Sequence, residues 1–354
     1  MTVMNNRSRT RRLIRTSAAL TALGVGSLTL AACGSGAGDD GKVRVAASFY
    51  PMAYLAQQIG GDHVEVQNLT QPGTEPHDLE LSPKQTGRLS EADLIVYLKG
   101  LQPAVDEAVE QSGVEHVAEA TSFTTLEKHG TDVHGEEGHE HGGHDHGGHD
   151  HGEHEHGGDE HGGDEHGGDE HGHEGHDHGE GAAGDPHVWL DPVRYAEIAE
   201  GVGKQLRKAD PDHKDEYAKN TKALVQRLHK LDKEFRDGLK PKKSDTFITT
   251  HAAFGYLAER YGLHEEAVSG IDPESEPSAA RMKELHKVAE KDDVDTVFFE
   301  DNASDKTART LAGDLRLKTS VLSPLESVKD PKKQDYFSVM HQNLTALKTA
   351  LGAQ

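Results

Sequence analysis

From His134 to Glu180 the chain contains only histidine, glycine and acid: 15 His, 16 Asp or Glu and 16 Gly. No hydrophobic side chain, lysine or arginine interrupts these 47 residues. Such a stretch buries no apolar surface and cannot offset the entropy of its own ordering. Any fold must therefore be built from what lies on either side of it. The run is a tether dense in imidazoles and carboxylates, and both groups bind divalent transition metals. His139, His141, His144, His146, His149 and His151 are accessory metal-ligand candidates on these grounds.

The N-terminus reads as a processing signal. Arg7, Arg9, Arg11, Arg12 and Arg15 form a basic region, and residues 18–32 a short apolar one. Fifteen residues are too few for a bilayer span, which takes roughly 20. The stretch ends in Leu30-Ala31-Ala32-Cys33, which looks like a bacterial lipobox. Cys33 is the single cysteine, so no disulfide competes for it. The expectation is a lipoprotein signal over 1–33, lipid attachment at Cys33, and a mature protein held on the outer face of the cell membrane. Arg11-Arg12 leaves Sec and Tat export both open.

Without the signal and the run, 33 basic and 46 acidic residues remain. An acidic remainder argues against a nucleic-acid partner. Strand-like runs at Val43–Ser48, Val64–Leu69, Asp93–Leu98 and Glu115–Ala118 alternate with helical ones at Pro51–Ile59 and Pro103–Gln111. Such alternation predicts an α/β fold with mainly parallel sheets. It restarts with strands at Thr246–Thr250, Glu266–Ser269, Thr296–Phe299 and Ser320–Leu322. Helices are expected at His251–Tyr261, Pro277–Glu290, Ser304–Leu317 and Asp335–Leu351. Between the halves, after a helix at Tyr195–Lys208, Tyr217, Leu224, Leu228, Leu231 and Phe235 recur at helical spacing in one long helix, Asp212–Leu239. The expected organisation is a signal peptide (1–33), a spacer (34–42), an N-terminal lobe (43–210) with a disordered His-rich loop (129–184), a linking helix (211–240) and a C-terminal lobe (241–354).

Ten histidines lie outside residues 129–184. Of these, His77 follows a strand and a turn, His251 follows a strand, and His187 sits in a backbone stiffened by Pro186 and Pro192. Glu300 ends the strand Thr296–Phe299. Open α/β sheets bind ligands at the carboxyl ends of their strands, where His77, His251 and Glu300 fall. With His187 they would make a compact tetrahedral site of the kind Zn²⁺ takes. His63, His116, His213, His229, His264, His286 and His341 read as surface residues.

Four segments carry a more specific likeness: Gly73-Thr-Glu-Pro-His-Asp-Leu-Glu-Leu-Ser-Pro83, Asp185-Pro-His-Val-Trp-Leu-Asp-Pro192, Thr249-Thr-His-Ala-Ala-Phe-Gly-Tyr-Leu-Ala258 and Phe298-Phe-Glu-Asp-Asn-Ala-Ser304. With them the chain resembles the metal-binding proteins of bacterial zinc ABC transporters, the cluster A-I solute-binding family with the TroA-like fold. The resemblance implies two similar lobes joined by one long helix, with His77 and His187 from the first lobe and His251 and Glu300 from the second as ligands. Asp301 and Asp305 stay open as rivals for Glu300. Glu75, separated from His77 by Pro76, is a possible extra carboxylate, and Asp185 and Asp191 are candidates for orienting ligands or for capping. The implied activity is extracytoplasmic capture of Zn(II) by a monomer, with delivery to an ABC permease. The alternatives are a manganese-binding component, or a reservoir or adhesin acting through the run. Manganese relatives carry a carboxylate at the position of His251, and three imidazoles favour zinc over a hard cation. The expectation is a binding protein and not an enzyme: neither HExxH nor Gly-x-Ser-x-Gly occurs, and four protein ligands leave no place for an activated water.

Overall fold

The computed structural model describes residues 41–129, 184–275, 277–300 and 305–353, without the side chains of 305–308 and 311. The signal segment with Cys33, the run with His139, His141, His144, His146, His149 and His151, and Asp301 lie outside the described residues, as does the side chain of Asp305.

The first half holds β1 (Val43–Ala47), α1 (Tyr50–Gly60), β2 (Val64–Asn68), α2 (Pro83–Ser90), β3 (Leu94–Tyr97), α3 (Pro103–Ser112) and β4 (Val117–Glu119). The strands form one parallel sheet in the order β2-β1-β3-β4. Proline in the first turn starts α1, α2 and α3, where its fixed φ suits a helix and its missing N–H costs nothing. Helix α2 is absent from the elements expected above. Its signal is a capping box, with Ser82 and Gln85 satisfying each other's backbone N–H groups.

The chain then passes through α4 (Pro192–Ala209) and, after a single 3₁₀ turn, α5 (Lys214–Leu239). At 1.5 Å per residue α5 is roughly 40 Å long. Tyr217, Leu224, Leu228, Leu231, Phe235 and Leu239 are all buried along it, so the helical spacing in the sequence marks a true core stripe.

The second half repeats the first with β5 (Thr246–Thr249), α6 (Gly255–Tyr261), β6 (His264–Ala267), α7 (Ala279–Lys291), β7 (Thr296–Phe299), α8 (Asp305–Leu315) and β8 (Lys318–Val321), and closes with α9 (Tyr336–Ala350). Its sheet runs β6-β5-β7-β8, again all parallel. His251 does not open α6, as the sequence suggests, but lies four residues ahead of it. The delay has a local cause: the Glu265 carboxylate accepts from the Phe254 N–H at 3.0 Å and holds the preceding segment as a loop.

The fold is therefore two parallel-sheet α/β lobes with flanking helices. Small clusters line one face of each sheet: Leu69, Leu89 and Ile95 in the first, Ile248, Leu285 and Val297 in the second. A single large cluster joins the remaining faces and includes Trp189, Tyr195, Tyr217, Phe235, Phe254 and Tyr336. In each sheet the strand order reverses between the first and third strands, and the carboxyl ends of the strands flank that crevice, where open α/β sheets take their ligands.

Candidate metal centre

Loops at the strand ends deliver four ligand-type side chains to one point. His77 lies on the loop after β2, His187 before the turn that leads into α4, His251 after β5, and Glu326 after β8. The three imidazoles and the carboxylate of Glu326 each bring a ligand atom within 4.8 Å of the others. Glu326 Oε1 stands 2.9 Å from His187 Nε2, 3.2 Å from His77 Nε2 and 3.5 Å from His251 Nε2. In a tetrahedral zinc site with bonds of about 2.0–2.1 Å, neighbouring ligand atoms lie about 3.4 Å apart. Glu326 Oε1 thus already stands from the three Nε2 atoms at about the spacing of such a shell.

Two of the imidazoles are aimed from behind by carboxylates. His187 is fully buried, and its Nδ1 lies 2.7 Å from Asp185 Oδ1, which also accepts the His187 backbone N–H at 2.9 Å. His251 Nδ1 is bonded to Glu300 Oε1. A carboxylate on the far nitrogen fixes the tautomer and turns Nε2 toward a metal. Glu300 therefore faces the back of His251, and Glu326 takes the position facing all three imidazoles. His77 is less enclosed. Its side chain is 12 % exposed, its backbone N–H donates to Glu75 Oε1 at 3.1 Å, and its Nε2 lies 3.9 Å from the same oxygen. Glu75 thus sits at the edge of the cluster. Asp191 acts elsewhere, capping α4 through the Val193 N–H and accepting from Arg260 of α6 at 2.8 Å.

Electrostatics agree with the geometry. Burial pulls the pKa of His187 down, but the charge of Asp185 and the hydrogen bonds to Asp185 and Glu326 outweigh it and raise it to about 9. His251 is raised in the same way, against burial, by Glu300 and Glu326. Burial pushes Glu326 up, while hydrogen bonds from His187 and His77 and the nearby His251 imidazole hold it well below the usual carboxylate range. Burial, with Glu326 nearby, lifts Glu75 to about 8. Three buried polar atoms here have no hydrogen-bond partner: His251 Nε2, Glu300 Oε2 and Glu326 Oε2. Orphaned buried polar atoms are costly in a native fold, and a cation held between Glu326 and a neutral His251 would satisfy Glu326 Oε2 and His251 Nε2. The donor set of three imidazoles and one carboxylate suits a borderline cation such as Zn²⁺.

The position of Glu326 is held firmly. The Trp189 indole donates to Pro324 O at 2.7 Å, Asn343 brackets Ser323 with bonds of 2.9 and 2.7 Å, and the Gly73 N–H donates to Ser327 Oγ. Leu325, fully buried, adopts φ +60°. A non-glycine residue seldom takes that conformation unless its surroundings impose it. Glu326 is not among the residues expected from sequence, because no strand ends directly on it and Pro324-Leu-Glu326 has no ligand-like spacing. The available signal is symmetry: His187 follows the last strand of the first lobe, and Glu326 follows the last strand of the second.

Comparison with known proteins bears on this arrangement. The sequence profile of the family described as "Zinc-uptake complex component A periplasmic" matches residues 45–350. The zinc-binding lipoprotein AdcA of Streptococcus pneumoniae is 36% identical over 329 residues, 91% of this chain and 58% of that protein. The chain thus spans little more than half the length of that relative. The high-affinity zinc uptake system protein ZnuA of Bacillus subtilis is 37% identical over 334 residues, covering 92% of this chain and 94% of that one. The crystal structure of the Zn(II)-bound ZnuA-like domain of S. pneumoniae AdcA superposes with a TM-score of 0.65 at 32% identity, over 88% of this chain and 99% of that domain. With its two parallel-sheet lobes and a profile match over most of its length, this chain belongs to the ZnuA family of periplasmic zinc-uptake components.

Proposed function

We propose that this protein captures Zn²⁺ outside the cytoplasm and delivers it to the permease of an ABC importer. The observation that carries the proposal is the set of three Nε2 atoms at 2.9–3.5 Å from one Glu326 oxygen. In this reading His77, His187, His251 and Glu326 bind the ion, and Asp185 and Glu300 orient the two buried imidazoles. The ion is cargo, so the site must both close on it and release it. His77, on the more exposed side, is the side by which zinc enters and leaves. Four protein ligands complete a tetrahedral shell and leave no coordinated water to activate, which favours transport over hydrolysis. Zinc is preferred to manganese because a hard cation would favour oxygen donors over three imidazoles.

In the same reading the chain acts as a monomer tethered by lipid on Cys33, and the His-rich run gathers zinc weakly nearby. Among the described residues no helix is long and apolar enough to cross a membrane. The test is a titration of the mature protein with zinc, manganese and nickel, with and without residues 134–180. Trp189 reports on the inner site, because its ring lies 5.2 Å from that of His187. One tight zinc site should survive deletion of the run, with a change in Trp189 emission. Loss of all tight binding with the run would place the main site there and overturn the proposal.

A further inference from the structure

A second group of ligand-type side chains gathers where the chain leaves the first lobe for the His-rich run. Glu127, His129 and Glu259 each bring one ligand atom within 4.8 Å of the others. Glu127 and His129 come from the segment after β4, and Glu259 comes from α6 of the other lobe. His129 Nε2 lies 3.3 Å from Glu259 Oε2. From sequence His129 falls in the disordered loop, yet several contacts fix its ring. Its Nδ1 lies 3.2 Å from Asp185 Oδ2. It meets the Tyr256 ring edge to face, with centroids 4.5 Å apart. Gly255 leaves the space it occupies, since a Cβ there would stand 2.3 Å from His129 Cβ. The Tyr256 hydroxyl in turn accepts from the Glu127 N–H at 2.7 Å and donates to Asp185 O at 2.8 Å.

We propose that Glu127, His129 and Glu259 form a second, exchangeable site for a borderline divalent cation such as Zn²⁺. An imidazole backed by a buried carboxylate, with its free nitrogen turned toward acidic oxygens, is the arrangement by which proteins orient a metal-binding histidine. Two carboxylates held together repel each other, and a cation between them relieves that repulsion. Arg194 pairs with Glu127 Oε1, and the Glu127 carboxylate also meets that of Glu259. One nitrogen and two carboxylates leave coordination positions open to water. The side chains of Glu127 and Glu259 are 38 and 55 % exposed, so an ion can come and go. Only four residues separate His129 from His134, where the run begins. Inward, Asp185 spans both centres, with Oδ2 on His129 and Oδ1 on His187. The site therefore lies beside the start of the run in sequence and shares Asp185 with the inner centre, and its existence does not depend on the identity of the inner cargo.

Equilibrium dialysis of the full chain against zinc tests the site, with Glu259→Gln, His129→Gln and, as a charge control on an exposed face, Glu290→Gln. The run contributes the same background to every variant. Glu259→Gln and His129→Gln should each lose about one weakly held zinc per chain, Glu290→Gln should lose none, and in Glu259→Gln, which leaves Asp185 untouched, the Trp189-reported inner site should keep its affinity. Unchanged stoichiometry in both site variants would show that a proton on His129, not a metal, joins these groups, and would overturn the proposal. An equal loss in Glu290→Gln would reduce the effect to general charge and overturn it as well.

Discussion

The two lobes share one strand order but supply the centre differently. The first gives two imidazoles, one on a loop after its second strand and one after its last. The second gives an imidazole after its first strand and a carboxylate after its last. His187 and Glu326 occupy matching places in this repeat. Between β4 and His187 lies the whole His-rich excursion, whereas Glu326 follows β8 by five residues. Topology thus fixes where a ligand can stand, and local sequence decides which chemistry stands there. Each lobe also backs one imidazole with a buried carboxylate, Asp185 in the first and Glu300 in the second.

The comparison breaks first if the lobes are independent. One apolar cluster runs through both of them along α5, where Phe235 stacks on Tyr261 of α6 with centroids 5.1 Å apart. Phe235→Ala should cost about 3–5 kcal/mol of stability, and calorimetry should still record one unfolding transition. Two transitions in the unaltered protein would show that the lobes melt separately.

Next comes the division of labour between carboxylates. Removing an orienting carboxylate typically costs 10–100-fold in metal affinity. Glu326→Gln, which strips the anion that all three imidazoles face, should weaken zinc binding by at least about 100-fold. Glu300→Gln and Asp185→Asn, which leave an acceptor behind His251 and His187, should each cost roughly 10-fold. Competition with a chromophoric chelator measures all three. If Glu300→Gln proved the most damaging, Glu300 and not Glu326 would be the ligand.

The smallest effect is on pH. His187 has a folded-state pKa of about 9 in the metal-free protein, above its unfolded value of about 6.5. Its charged form therefore stabilises the fold fully below the unfolded value, and that contribution is lost as pH rises through about 9. Melting of the metal-free protein should fall across that window. Zinc needs the neutral imidazole, so binding at about pH 7.5 should release at least one proton, seen by calorimetry in buffers of different ionisation enthalpy. No release would mean that the imidazoles are already neutral.

Much of this is legible in the sequence because its signals are local. Strand and helix alternation, the spacing of Tyr217, Leu224, Leu228, Leu231 and Phe235, and the strand-end settings of His77 and His251 all read directly. Glu326 does not, because what makes it a candidate is long-range: Trp189 on Pro324, Gly73 on Ser327 and Asn343 on Ser323. Glu300 reads correctly as a strand-end residue beside the centre, but its partner is decided by how β5 and β7 pair. His129 is hidden for another reason. In sequence it falls at the edge of the expected loop 129–184, while its neighbours in space, Gly255 and Tyr256, lie across the fold.

A zinc-edge anomalous difference map from zinc-loaded crystals tests the central claim most directly. The expected result is an ion about 2.0–2.2 Å from His77 Nε2, His187 Nε2, His251 Nε2 and a Glu326 oxygen, with Glu300 still on His251 Nδ1. An ion bound by Glu300 in place of Glu326, or no ion between the lobes, would contradict it.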